Sequence, residues 1–221
     1  MPDRSARRDA TENRAALIAA ARQELQRDPD ASIECIAAAA GLSRRAVYGH
    51  FPTRDDLVGE VVTGGAERIL AAMPVAADLA DLAPASRLAT IAAALWAEVS
   101  AVRTMAQIAV RGPHAARIAA VFAPLRAEVR QACALGIGSG TFRADVDADT
   151  LARLVEGACL TVLDEATRAE TSQEDGHRMV VLSALGAAGL GWRDALQTLP
   201  RQLVTTQLVP RQLVPTQEPH A

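Results

Sequence analysis

The sequence predicts an all-α protein, with an N-terminal three-helix helix-turn-helix domain followed by a larger helical domain. Three observations predict it. Half of the 221 residues are hydrophobic but only 3% are aromatic, and much of the apolar count is alanine, the residue that loses least on entering a helix. Apolar residues recur at helical spacing, as Leu17, Ala21 and Leu25 do at i, i+4 and i+8. Serine, threonine, glycine and proline fall between these stretches where helices are capped and broken.

The bulk numbers narrow the partners. The length accommodates two cores without a disulfide or metal staple, and no cofactor or metal is expected. All 23 basic residues are arginines, the net charge is -3 and the pI is near 5.8. That balance excludes a surface coated in positive charge, so any nucleic-acid contact must come from a local cluster. Cys35, Cys133 and Cys159 are too scattered for a zinc site or a redox pair and read as small buried apolar residues in a reducing compartment. The polar N-terminus lacks the apolar run of a secretory signal. The longest uncharged apolar stretch, Met179 to Trp192, is about 14 residues where a membrane span needs about 20. A cytoplasmic protein without membrane contact is the expectation.

Residues 1–9, with Arg4, Arg7 and Arg8, have little to pack and are expected to form a flexible basic arm. Residues 10–52 hold three helices. The first, Ala10 to Arg27, ends at Asp28-Pro29-Asp30 because proline disfavours helix in the residue before it. Ser32 caps the second, whose buried face is Ile33, Ile36, Ala37 and Ala40. Gly41 supplies a left-handed turn, and Ser43 caps a third helix running to about His50. Pro52 stops that element. Thr53 then caps a long connecting helix (53–74), with Asp55 and Asp56 in the first turn as the macrodipole prefers; it passes through Leu57, Val61 and Ile69 until Pro74. Residues 75–199 read as amphipathic helices punctuated by Pro84, Gly112-Pro113, the glycines of 136–140, and 174–176. Two are longest, about Asp147 to Ala169 and about Gln173 to Leu196. Residues 200–221 form a proline-bracketed near-repeat, Arg201 to Gln207 and Arg211 to Gln217, expected to be a disordered tail.

From Ser32 to Leu57 the chain reads SIECIAAAAGLSRRAVYGHFPTRDDL. Leu42, Val47 and Phe51 provide an apolar back for the third helix, leaving Arg44, Arg45, Ala46, Tyr48 and Gly49 facing outward. An outward arginine pair can read guanine O6 and N7, and Ala46 a thymine methyl. The spaced positions Ala40-Gly41-Leu42-Ser43, Tyr48-Gly49-His50-Phe51 and Thr53-Arg54 resemble the N-terminal domain of the tetracycline-repressor (TetR) family. The resemblance implies a dimeric regulator that binds palindromic double-stranded operator DNA, most simply a repressor released by a small-molecule inducer. It also implies that Ser43, Tyr48 and His50 lie at the DNA, and that Arg54 clamps a phosphate.

A looser resemblance to these regulators covers Gly136 to Asp147, a connection that precedes paired dimer helices. It implies a ligand-binding and dimerisation domain at 75–199. Trp96, Val99, Met105, Ile108, Phe122 and Leu125 are candidates to line an apolar cavity for a small apolar or amphipathic ligand, with Arg103, Gln107 or His114 as polar handles. Gly157, Ala158, Ala184, Gly186, Ala187 and Gly189 are small enough for close approach of a homodimer partner. The connecting helix is the natural lever between ligand and DNA.

An enzyme is not expected, because the chain carries no phosphate-binding glycine loop, zinc motif or His-carboxylate pairing beyond chance. The rival class is a helical ligand-binding or scaffold protein with weakened DNA binding. Glu34, whose carboxylate would repel phosphate, and the helix-weakening Gly49 favour it.

Overall fold

The computed structural model describes residues 4–199, without the side chains of residues 4–7, 9, 101, 104, 108, 110 and 111. Its regular elements are all helical. Four helices open the chain: α1 (Arg4–Arg27), α2 (Ile33–Ala39), α3 (Arg44–His50) and α4 (Arg54–Ala72). The inward stripe of α1 places Leu17 and Leu25 against Ile36, Val47 and Leu57, all fully buried. Each such side chain contributes about 1.5–3 kcal/mol on leaving water. Thr53 and Asp56 form a reciprocal capping box at the start of α4, which satisfies two backbone N–H groups there.

The larger domain follows with α5 (Ala76–Leu79), α6 (Pro84–Val99), a 3-10 turn, α7 (Arg103–Arg111), α8 (Ala115–Val121), α9 (Ala123–Gly138), α10 (Ala148–Arg168), α11 (Gln173–Ala187) and α12 (Trp192–Thr198). Pro84 begins α6 at a position where its missing N–H costs nothing. A second core of Leu88, Cys133, Leu151, Val181 and Leu185 joins α6, α9, α10 and α11. Trp96 is fitted into it tightly: a Cβ on Gly176 would stand 2.0 Å from its Cζ2, and its indole N–H donates to the Gln173 carbonyl at 2.9 Å. Phe142 lies over Gly136 in the same way, and Gly140 (φ +72°) makes the turn that returns it there.

The two domains are not separate bodies. Met105 and Ala109 of α7 and Ile118 of α8 belong to the same buried cluster as the N-terminal helices.

Three expectations are corrected. The basic arm is helical from Arg4, because no glycine or proline interrupts 4–27 and an exposed Arg8–Glu12 pair at 2.9 Å supports the added turn. The long helix expected from Gln173 to Leu196 is two helices, since α11 ends at Ala187 and Gly189 takes φ +101° against the backbone of Arg143, whose N–H donates to Ala188 O at 3.0 Å. Cys35 is exposed rather than buried and donates its Sγ–H to Glu24 at 3.4 Å; Cys159 is only half-buried, while Cys133 is buried. The tail at 200–221 lies outside the described residues. No helix among them is long and apolar enough to cross a membrane.

Candidate nucleic-acid interface and ligand cavity

The turn between α2 and α3 is built by backbone chemistry. Helix α2 ends with Leu42 N–H donating to Ala37 O at 2.9 Å and Gly41 N–H to Ala38 O at 3.1 Å, a closure that needs the left-handed Gly41 (φ +68°). Ser43 then accepts from Ala46 N–H at 3.2 Å, so α3 starts one residue after the turn. Val47 is fully buried beneath α3 and Phe51 nearly so, with Leu42 packed beside them, as their spacing requires. The guanidinium of Arg14 stacks 5.1 Å from the Phe51 ring and pairs with Glu60 at 2.8 Å, holding the base of α3 to α1 and α4.

The opposite face of α3 is open. Arg44, Arg45, Tyr48 and Gly49 are exposed, Ala46 and His50 half-buried, and the capping Ser43 exposed. Tyr48 is 45% exposed, unusual for an aromatic ring on a protein with so few of them. The arginine pair divides its labour. Arg44 Nη2 lies 2.7 Å from Glu34 Oε1, and Arg45 has no ion pair among the described residues. Glu34's carboxyl is held below its usual range by a backbone hydrogen bond first and by Arg44 second. The carboxylate expected to repel phosphate is thus the counterion of a neighbouring arginine.

Arg54 has a structural role that its position at the start of α4 does not announce. Its guanidinium turns inward, donating to Ala31 O at 2.9 Å and Pro29 O at 2.6 Å, and so ties the α1–α2 connection to the start of α4. Loop carbonyls that cannot pair in a helix are satisfied here by a side chain, which spacing alone does not reveal.

Between α4 and helices α6–α10 lies a cavity of about 940 Å³, reached also by α1. Trp96, Val99, Met105, Phe122 and Leu125 line it; the side chain of Ile108 lies outside the described residues. The three polar handles lie elsewhere. Arg103 is drawn away by the carbonyls of Ser100 (3.0 Å) and Ala166 (2.8 Å) and stacks 5.4 Å from the Trp96 ring. Gln107 donates to Asp164 at 3.2 Å. His114, at the N-terminus of α8, seats against Gly59 of α4, where a Cβ would be 2.9 Å from its Cε1, with its Nε2 3.6 Å from Asp55. The polar wall is made instead by residues that periodicity did not single out, among them Arg22, Arg68 and the Arg126–Glu156 pair. A usable signal existed: Arg22 follows Ile18 by four residues and Arg68 follows Val61 by seven, both on apolar stripes.

The small residues of the last helices separate into two groups. Gly157 and Gly186 are exposed, and a Cβ added to either would have nothing within 4 Å; Leu154, one turn from Gly157, is 45% exposed. Ala158 and Ala187 are half-buried. Ala184 is fully buried inside the chain, and the exposed Gly189 is the break after α11, where its close approach is to the backbone of Arg143. The close packing of those last two is therefore internal.

Residues 17–61 match the profile of the bacterial regulatory proteins of the tetR family. No curated protein matches the chain in sequence. Among solved structures, RolR in complex with resorcinol aligns over 89% of this chain and 97% of its own, with 20% identity and a TM-score of 0.63. A tetR-family regulatory protein from Rhodococcus RHA1 aligns over 81% and 98%, with 23% identity and a TM-score of 0.64. The MbdR regulator from Azoarcus sp. CIB aligns over 82% and 100%, with 23% identity and a TM-score of 0.60. At these identities the likeness is one of fold, and it spans both domains.

Proposed function

We propose that this chain, whose residues 17–61 match the tetR-family profile, is a ligand-responsive repressor of that family that binds a near-palindromic operator as a homodimer. One observation carries the reading: Val61, Val62, Ala66, Met105, Ala109 and Ile118 belong both to the core beneath α3 and to the wall of the cavity. A molecule that repacks that wall must act on the seat of the helix-turn-helix, because close-packed interiors transmit displacement instead of absorbing it.

At the DNA, α3 enters the major groove with Arg45 and Tyr48 as its free side chains, and Arg44 joins them when Glu34 releases it. The dimer pairs α10 and α11 with their symmetry copies through the exposed surface around Leu154, Gly157 and Gly186. Ligand binding favours an arrangement of α4 that changes the separation of the two copies of α3; the ligand must bind that arrangement more tightly than the DNA-bound one. RolR, solved with resorcinol, supports a small organic ligand for a cavity in this fold.

Selection of duplexes from a random pool tests the reading. A repressor of this kind recovers an inverted repeat with half-sites about one helical turn apart. The rival, a ligand-binding or scaffold protein with weakened DNA binding, is favoured by the Glu34–Arg44 pair and recovers no repeat.

A further inference from the structure

Two arginines of the cavity wall, Arg22 on α1 and Arg68 on α4, stand where an apolar cavity has no need of charge. The neighbouring wall arginines are provided for. Arg126 is bound by Glu156 and by the Ala119 carbonyl at 2.9 Å, and Arg130 lies 3.6 Å from Asp149. Among the described residues, Arg22 and Arg68 have neither an ion pair nor a hydrogen bond, and the Nε of Arg22 is buried without an acceptor. The two stand on helices that pack against each other, α1 and α4, and desolvation first, and then the charge of Arg22, makes the Arg68 guanidinium a weaker base than usual. Arg68 folds back along α4, with its terminal nitrogens 3.9 and 3.8 Å from where a Cβ on Gly64 or Gly65 would stand. Glu98 is the wall's remaining carboxylate; it is exposed and outside ion-pairing distance of both.

A buried donor without an acceptor is unfavourable, and two neighbouring like charges add to that cost. Both penalties disappear when an oxyanion sits between the guanidinium groups, whose planar forks suit a carboxylate, sulfonate or phosphate. We propose that the ligand is an amphipathic organic anion, with its apolar body in the cavity and its oxyanion head clamped between Arg22 and Arg68. This rests on the ligand-responsive reading above and names the ligand's class. It also supplies a direct coupling. The head bridges α1 and α4, the two helices that hold α3 in place, so the charged interaction acts on the DNA-binding unit while the apolar body fills the larger domain.

A matched pair of probes tests it: 1-anilinonaphthalene-8-sulfonate and N-phenyl-1-naphthylamine, which share an apolar body and differ in the anionic head. Fluorescence titration of the full chain is expected to show the sulfonate binding at least about tenfold more tightly than the neutral amine. In Arg22→Gln/Arg68→Gln that preference falls to near unity while affinity for the neutral probe stays within about twofold. Thermal unfolding followed by circular dichroism checks that the fold is kept. If the double variant unfolds, Arg68→Gln alone is used, since its exposed head holds no other element in place; it is expected to lose most of the preference, and Arg68→Lys to regain part of it. Equal affinity for the two probes, a preference that survives the substitutions, or failure of the sulfonate to bind overturns the proposal. Duplex selection reports separately. A chain that selects an inverted repeat but shows no anion preference refutes this inference alone, and an anion preference without DNA binding refutes the repressor reading alone.

Discussion

Glu34 holds Arg44 at 2.7 Å, both side chains largely in water, so the pair is worth little by itself, but in the proposed reading it withholds a cation from DNA. Glu34→Gln is expected to raise operator affinity severalfold and to steepen the log–log salt dependence by about one unit, as one more phosphate contact would. Fluorescence anisotropy over a range of salt measures both, and an unchanged slope would show that Arg44 reaches no phosphate. Ser43 carries the start of α3 through one hydrogen bond of 3.2 Å. Ser43→Ala is expected to cost about 1 kcal/mol and Ser43→Asp to retain most of it, read by denaturant unfolding. The thiols give a pH prediction. Burial pushes Cys133 up to about 11, and burial followed by the charge of Glu156 pushes Cys159 up to about 12, against 9.0 for the free side chain. The unfolded chain therefore loses these protons first as pH rises. Stability is unaffected below pH 9 and falls between 9 and the folded values, so the melting temperature should drop from pH 8 to pH 10, and less so in Cys133→Ala/Cys159→Ala.

Among the helices, those whose ends are set by their own residues were legible, and those whose ends are set by neighbours were not. Thr53, Ser43, Ser32 and Asp147 each accept a backbone N–H of their own first turn, a local interaction that residue type and position reveal. The break after α11 depends on Arg143 approaching Gly189 from another segment, and the inward turn of Arg54 depends on carbonyls more than twenty positions away in sequence. Neither follows from periodicity. The cavity was half legible for the same reason: apolar spacing marked Trp96, Val99 and Met105, whereas Arg22 and Arg68 of the wall come from α1 and α4, outside the 75–199 segment to which the sequence assigns the ligand. The seat of His114 on Gly59 joins α8 to α4. Gly59→Ala is expected to displace the imidazole, leaving operator binding in place while weakening its release by ligand, measured by anisotropy with and without the ligand. Full release in that variant would remove this contact from the coupling path.

In the whole molecule, α3 and the cavity share one buried cluster, and in the proposed dimer twofold symmetry supplies the second half-site contact. The exposed Gly157 lies on the surface where α10 meets its copy in the proposed dimer. Gly157→Arg is expected to leave the fold intact, shift the chain to monomer in sedimentation, and weaken operator binding at least about tenfold. The most direct measurement concerns α3 itself. The affinity of Arg45→Ala/Tyr48→Ala for the selected inverted repeat should be set beside that of the parent chain, with thermal unfolding as the check on folding. The variant is expected to melt as the parent does, since both side chains are exposed, and to bind the repeat no better than unrelated duplex. Undiminished selective binding by a folded variant would place the DNA on some other face of the molecule and contradict the role given to α3.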